Sequence, residues 1–251
     1  MRARLLFGSL LLGCRMLPAP TPMAYVQEGA RGGAPARCLM VLLPGGGDQL
    51  GKFAEEGFVG AIAASGASVD VVSADATMGY YFRGVVDERL EQDVLAPLRA
   101  GHEHVWLLGV SMGGFGALHH AQQHAAEIDG VIVLAAYLGD RRIFKEIEAA
   151  GGLAGWQPDP PVTPTRKNFQ RQLWSWLHRT TAAGAQAPTL LLGYGDDDRL
   201  AAANRLLGAA LPEDQVVHRP GGHDWPVWRE LLAALLKHPR FVESCRATPG
   251  G

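Results

Sequence analysis

The sequence lacks a long apolar run, an excess of positive charge and a large set of cysteines. No stretch reaches the roughly 18 apolar residues that a membrane-spanning helix needs, so we expect no integral membrane segment. The formal net charge is -2 and the pI is about 6.5. No lysine- and arginine-rich run is present, and nucleic acid is therefore not an expected partner.

The 3 cysteines among 251 residues do not predict a disulfide framework. Cys38 lies in an apolar run and is interpreted as a small buried hydrophobic residue. If Cys14 is modified, Cys38 and Cys245 are left, and the sequence leaves open whether these two meet.

The amino terminus has the charge and length of an export signal, because Arg2 and Arg4 precede the apolar run 5–12. Leu11-Leu12-Gly13-Cys14 is also similar to a bacterial lipoprotein processing site, in which Cys14 would carry a lipid anchor, although Leu12 and Arg15 depart from that pattern. Three alternatives stay open: export, lipid anchoring in a bacterial envelope, and an uncleaved amino terminus on a cytoplasmic protein.

Apolar runs alternate with amphipathic segments along most of the chain. Strands are predicted at 37–43, 68–74, 104–110, 131–135, 189–193 and 215–219. Helices are predicted at 53–64, 86–98, 141–149, 200–210 and 226–236, with a further one from the glycine-rich turn after 110 to about 126. This rhythm predicts an α/β domain with a mostly parallel sheet flanked by helices. We expect the domain to occupy residues 36–240, after a linker at 1–35 and before a polar tail at 241–251.

The alternation of apolar runs and amphipathic segments stops at residues 140–186. This segment combines a charged helix, a loop rich in glycine and proline, and a helix with several aromatic residues. An insertion of this length between two strands predicts a short cap over the active site. Ordinary packing of Trp174 and Leu177 on the sheet is the alternative.

The sequence around Ser111 organises the prediction of function. Gly109-Val110-Ser111-Met112-Gly113 follows a predicted strand and leads into a helix. A serine on such a sharp turn is exposed to substrate, and the glycines allow the strand and helix to approach each other. The motif therefore predicts a nucleophilic serine.

A serine needs a base, and a histidine that serves as the base needs a carboxylate to orient it. An acidic turn (196–198) and Gly222-His223-Asp224-Trp225 each follow a later predicted strand. Chemistry is expected at the carboxyl ends of the strands, so Ser111, one of the three aspartates and His223 are the candidate catalytic residues.

These motifs resemble the α/β-hydrolase superfamily, close to its small serine esterases, from about Cys38 to Leu236. The resemblance implies the α/β-hydrolase fold and a Ser-Asp-His triad. It favours Asp198 as the acid because of the turn that starts at Gly195, with Asp196 and Asp197 left as alternatives. Backbone amides of Met112 and Gly46 would form the oxyanion hole, although Pro44 stands where many relatives have histidine.

Four aromatic residues are candidates for the substrate pocket: Tyr80, Tyr137, Trp156 and Trp225. Ordinary packing is the alternative for each of them.

Other functions fit the sequence less well. A phosphate-binding loop at Gly46-x4-Gly51-Lys52 would need a hydroxyl residue where Phe53 stands. A metal site at His119 lacks a carboxylate at the spacing of a zinc protease. We expect a serine hydrolase that cleaves carboxylic esters without a cofactor or metal. The alternatives are an acyltransferase or thioesterase on the same triad, and a non-catalytic binding protein on the same fold.

Overall fold

The computed structural model describes residues 17–28, 35–182 and 185–247. The export signal and the lipid anchor at Cys14 lie outside the described residues. No helix in the described part of the chain has the length and apolar character to cross a membrane.

A seven-stranded sheet forms the centre of the fold, in the order β1-β3-β2-β4-β5-β6-β7. Its first strand is antiparallel to β3, and all other neighbours are parallel. The predicted mostly parallel sheet is therefore confirmed. The strands are β1 (Tyr25–Glu28), β2 (Cys38–Leu43), β3 (Val69–Ala74), β4 (His104–Val110), β5 (Gly130–Leu134), β6 (Thr189–Gly195) and β7 (Val216–Arg219).

The helices cover both faces of the sheet. They are α1 (Lys52–Glu55), α2 (Phe58–Ala64), α3 (Met78–Arg83), α4 (Val86–Arg89), α5 (Ala96–Arg99), α6 (Met112–Gln123), α7 (Arg141–Ala149), α8 (Phe169–Thr180), α9 (Ala201–Gly208), α10 (Trp225–Leu235) and α11 (Pro239–Ser244). A π-helical segment, Leu90–Leu95, joins α4 to α5, and short 3-10 turns lie at Leu153–Gly155 and Glu213–Gln215. Buried residues of α3, α4 and α6 to α9 form the core on one face, and those of α1, α2, α10 and α11 form the core on the other.

The strands are apolar because the sheet is covered on both sides. All residues of β2 and β5 are buried, as expected for central parallel strands. The carboxyl ends of β4, β6 and β7 lead directly to the turns that carry Ser111, Asp198 and His223.

Two predicted helices and one predicted tail boundary need correction. The helix predicted at 53–64 is broken at Gly57, whose φ of 79° lies in the left-handed region. The helix predicted at 86–98 contains the wider π-helical segment. Residues 239–244, interpreted from sequence as the boundary of a polar tail, form α11, with Phe241 fully buried.

Two features near the ends of the domain also differ from the sequence interpretation. The chain interpreted as a linker includes β1, which pairs with β3 through backbone hydrogen bonds. Cys38 is not a free buried thiol: it forms a disulfide bond with Cys245, with Cα atoms 5.4 Å apart. This bond ties the start of β2 to the end of α11.

Candidate active site

Ser111 lies in the turn between β4 and α6 with a strained backbone. Its φ is 52° and its ψ is -114°, a conformation that residues other than glycine rarely adopt. A Cβ on Gly109 would lie 2.2 Å from the carbonyl oxygen of Gly113, so the strand and helix approach too closely there for a larger residue. The Gly-x-Ser-x-Gly spacing follows from this contact.

The hydroxyl of Ser111 faces His223. Ser111 Oγ lies 2.9 Å from His223 Nε2. The other ring nitrogen, Nδ1, lies 2.8 Å from Asp198 Oδ2 and 3.0 Å from Asp198 Oδ1. With a proton on Nδ1, the imidazole donates to the carboxylate and leaves Nε2 free to accept the serine proton. The structure thus brings together Ser111, His223 and Asp198, the aspartate that the resemblance favours.

The three aspartates of the acidic turn have different surroundings. Asp196 Oδ1 lies 2.9 Å from His218 Nδ1 at the protein surface. Asp197 is exposed. Asp198 is only 6% exposed, and its Oδ1 also accepts a hydrogen bond from the Leu200 amide at 2.7 Å. Of the three, Asp198 alone is hydrogen-bonded to His223 in the described chain.

The loop that carries His223 is held from two sides. Gly195 lies so close to the Gly221 backbone that a Cβ on Gly195 would be 2.3 Å from the Gly221 oxygen. The ring of buried Trp228 lies edge-on to the imidazole, with centroids 4.9 Å apart. These contacts fix the position of the histidine relative to Asp198 and Ser111.

The glycine loop after β2 lies beside Ser111. A Cβ on Gly45 would be 3.6 Å from the Ser111 Cβ, and one on Gly46 would be 4.0 Å from the Met112 Cβ. The Gly45 amide donates to Asp48 Oδ2 at 3.1 Å, whereas Gly46 is exposed. The two residues predicted to supply oxyanion amides, Gly46 and Met112, are therefore neighbours at the mouth of the site.

Sequence reasoning missed Asp48, which orders this loop. Its carboxylate accepts from the Gly45 amide, and its own amide donates to the Gly45 carbonyl at 3.3 Å. Burial raises the pKa of the Asp48 carboxyl, although the hydrogen bond from Gly45 and the charge of Lys52 oppose this shift. The acidic residue directly after three glycines was the available signal.

Asn204 is a second residue that sequence reasoning missed. It is fully buried on α9, and its side-chain amide donates to the Ala136 carbonyl at 3.0 Å and accepts from the Ala136 amide at 3.1 Å. The next residue, Tyr137, donates from its amide to the Ser111 carbonyl at 2.9 Å. Asn204 thus supports the backbone that holds the serine turn, through a contact 68 residues away in sequence.

Two of the aromatic pocket candidates are wrong. Tyr80 is fully buried on α3, and its hydroxyl donates to the Pro20 carbonyl at 2.7 Å. Trp156 is 3% exposed, and its indole N–H donates to Glu146 at 2.8 Å beneath the guanidinium of Arg171. Both side chains are held by packing and hydrogen bonds in the protein interior.

The other two candidates are only partly buried. Tyr137 is partly buried, and its ring lies edge-on to Phe115. Trp225 follows the histidine loop and is partly exposed, with its ring edge-on to Phe53 and Phe58. Their role in a substrate pocket stays a prediction.

The predicted cap region contains α7 and α8. Trp174 and Leu177 on α8 are fully buried, and the Trp174 indole donates to the Leu138 carbonyl at 2.8 Å. For these two residues the alternative of ordinary packing fits. A cavity of about 130 Å³ is lined by residues of α3, α6 and the start of α8, among them Tyr81, Phe115 and Phe169.

Comparisons with known proteins identify the family of this chain. A model of the family described as "Esterase: Putative esterase" matches residues 69–238. An acetyl esterase of Caldicellulosiruptor saccharolyticus is 25% identical over 155 residues, which are 55% of this chain and 54% of that protein. The chain thus spans about half the length of this curated relative.

Solved structures with the same fold include a ferulic acid esterase and an S-formylglutathione hydrolase from Staphylococcus aureus. The former has 20% identity and a TM-score of 0.53, covering 83% of this chain and 86% of that chain. The latter has 16% identity and a TM-score of 0.56, covering 86% of this chain and 96% of that chain. Since the family model covers more than half of the sequence and the neighbours share the fold, the chain belongs to this esterase family and has the α/β-hydrolase fold.

Proposed function

We propose that the protein is a serine hydrolase that cleaves carboxylic esters through an acyl-enzyme intermediate. The observation that carries the proposal is the chain of hydrogen bonds from Ser111 Oγ through His223 to Asp198. Membership of the esterase family supports an ester as the substrate.

In the first step, Ser111 Oγ attacks the ester carbonyl carbon while its proton passes to His223 Nε2. The Asp198 carboxylate stabilises the imidazolium that forms. The negative charge on the carbonyl oxygen is then stabilised by the amides of Met112 and Gly46. The C–O bond to the alcohol breaks, and His223 gives its proton to the leaving oxygen.

In the second step, water attacks the acyl-enzyme. His223 takes a proton from the water, and collapse of the second tetrahedral intermediate releases the carboxylic acid and returns the proton to Ser111. The position of Ser111 at the amino end of α6 favours the negative charge of both intermediates, because the first amides of a helix have no partner within the helix.

The experiment is labelling with a fluorophosphonate, followed by turnover of p-nitrophenyl esters from acetate upward. Ser111→Ala should abolish labelling and lower kcat by at least about 10³-fold, and His223→Ala should do the same. Ser68→Ala and His218→Ala are matched controls, because both lie outside the hydrogen-bonded triad, and both should keep wild-type activity. Absence of labelling in folded wild-type protein would contradict the proposal.

Because the curated relative is named an acetyl esterase, p-nitrophenyl acetate is the first ester to test. Parallel reactions with an added alcohol acceptor and with an acyl thioester distinguish hydrolysis of esters from acyl transfer and thioester cleavage. A dominant transfer product would replace hydrolysis as the function while leaving the assigned residues in place.

A further inference from the structure

A cluster of histidine and carboxylate side chains lies where α6 packs against α4, away from the triad. His120 and His124 are four residues apart, so both project from one face of the helical backbone. Their rings are stacked with centroids 4.3 Å apart. Asp87 on α4 faces this pair, and Glu91 follows one turn later in the π-helical segment.

The donor atoms of three of these residues converge. Asp87 Oδ1 lies 2.8 Å from His120 Nδ1 and 3.5 Å from His124 Nε2. All three donor atoms lie within 4.8 Å of one another. Donors around a tetrahedral zinc ion at bond lengths of about 2.0 to 2.1 Å are separated by roughly 3.3 Å, so small side-chain rotations would complete this spacing.

His120 provides a second, independent observation. Its side chain is fully buried, yet Nε2 makes no hydrogen bond among the described residues. That nitrogen lies 3.5 Å from Glu91 Oε2, and Arg99 holds the Glu91 carboxylate at 2.9 Å. A buried polar atom without a hydrogen bond is rare and needs an explanation. If an ion binds Nδ1, the ring proton lies on Nε2 and can be donated to Glu91, so the metal-bound tautomer supplies the hydrogen bond that this nitrogen lacks. Histidines that bind metals commonly direct the second ring nitrogen to a carboxylate in this way.

The charge of the cluster also suits a cation. Asp87 contributes a carboxylate that contacts both imidazoles. Glu91 and Glu127 add two carboxylates beside the histidines, and Arg99 pairs with both.

We propose that Asp87, His120 and His124 form a binding site for Zn²⁺. His120 would bind through Nδ1 and His124 through Nε2, with His120 Nε2–H directed to Glu91. Two imidazoles and one carboxylate favour zinc over calcium or magnesium, which prefer ligand sets made of oxygen. The bound ion would join α4 to the end of the helix that begins after Ser111. The site takes no part in the proposed ester cleavage.

The test uses the full chain without a histidine tag, freed of metal by a chelator and then titrated with Zn²⁺ and with Co²⁺. We expect the visible absorption of tetrahedral Co²⁺, a stoichiometry of one ion, and a melting temperature that rises with Zn²⁺ concentration but not with Ca²⁺. His124→Gln and Asp87→Asn should each weaken Zn²⁺ binding at least tenfold. Both residues are partly exposed, so these variants are expected to fold.

His104→Gln is the matched control, because it removes one histidine from a single His–Asp pair at the start of β4, where His104 Nδ1 lies 2.8 Å from Asp129. This variant should bind Zn²⁺ like the wild type. Absence of Co²⁺ absorption or of a Zn²⁺-dependent melting shift would overturn the proposal. The proposal would also be overturned if His104→Gln weakened Zn²⁺ binding as much as His124→Gln does, or if Cys14→Ser weakened it. In either case the ligands of the ion would lie elsewhere.

Discussion

The backbone of Gly113 packs against Leu43 so closely that a Cβ on Gly113 would lie 2.0 Å from the Leu43 carbonyl oxygen. This contact joins the first turn of α6 to the end of β2, where the glycine loop begins. This backbone contact therefore links the position of the serine turn to that of the predicted oxyanion loop.

Gly113→Ala should displace α6 from β2. We expect a loss of at least about 100-fold in turnover of p-nitrophenyl acetate and a decrease of about 1–3 kcal/mol in the free energy of unfolding, because the added methyl group overpacks the contact. Gly60→Ala is the control: Gly60 lies in α2, and a Cβ added there would have no atom within 4 Å. That change should leave activity intact and stabilise the helix by up to about 1 kcal/mol. Wild-type activity in Gly113→Ala would contradict the expected displacement.

Asp198→Asn should lower kcat by about 10⁴-fold, because an amide cannot stabilise the imidazolium or fix the required tautomer. Asp197→Asn should stay within about twofold of wild type, since that side chain is exposed and lies in the same turn. Steady-state kinetics on one ester would compare the two. If kcat fell further in Asp197→Asn than in Asp198→Asn, Asp197 would be the acid of the triad.

Asp48 is expected to position the oxyanion loop. Asp48→Ala removes the acceptor for the Gly45 amide, and we expect kcat to fall about tenfold, equal to roughly 1.4 kcal/mol of transition-state stabilisation, with little change in KM. Asp48→Asn keeps an oxygen that can accept this hydrogen bond and should recover most of the activity. An equal loss in both variants would show that charge, not loop geometry, is what matters at this position.

The Cys38–Cys245 bond closes a loop with a sequence separation of 207 residues. Replacing both cysteines with alanine should lower the free energy of unfolding by about 3–5 kcal/mol, since the unfolded chain regains the freedom that the crosslink removes. Urea unfolding without a reducing agent measures this difference. Cys14→Ser is the control and should unfold like the wild type; an unchanged midpoint in the double variant would contradict the prediction.

Glu146 should stabilise the protein in a pH-dependent manner. Hydrogen bonds from Arg171 and then Trp156 lower the pKa of Glu146 to about 2. Since the folded-state pKa lies below the unfolded value of about 4.5, this contribution is present at neutral pH and is lost as the pH falls from about 4.5 to about 2. The melting temperatures of wild type and Glu146→Gln should therefore differ at pH 7 and converge toward pH 2. The difference should be modest and should decrease with salt, because the pair is exposed.

Glu148→Gln, on the same helix, is the control for Glu146→Gln and should melt like the wild type at each pH. A difference between wild type and Glu146→Gln that is constant from pH 7 to pH 2 would contradict the assigned ionic contribution.

The parts of the fold that the sequence predicted are those with strong local patterns. Strand β4 and helix α7 have the bounds that were predicted, because apolar runs and charged amphipathic segments are local signals. The turns that carry Ser111, Asp198 and His223 each follow such a strand. The sequence could therefore place the candidate residues at one edge of the sheet.

The missed features depend on contacts between distant parts of the chain. Strand β1 has four mostly exposed residues and is held by its pairing with β3. Tyr80 is a substrate-pocket candidate from the sequence, but its hydroxyl donates to the Pro20 carbonyl, 60 residues away, in the protein interior. The role of Asn204 likewise depends on the backbone of Ala136, 68 residues away. Asp48 is different, because its partner Gly45 lies three residues earlier and the contact depends on the conformation of the loop.

The link between Cys38 and Cys245 also changes what happens when the chain is cut. Ser111, Asp198 and His223 all lie between the two bridged cysteines in sequence. A protease that cleaves the exposed segment 161–163 would separate the serine from the acid and the base along the chain. The two pieces would nevertheless stay covalently joined through the bridge, so nicked enzyme would keep its full mass until a reducing agent released the halves.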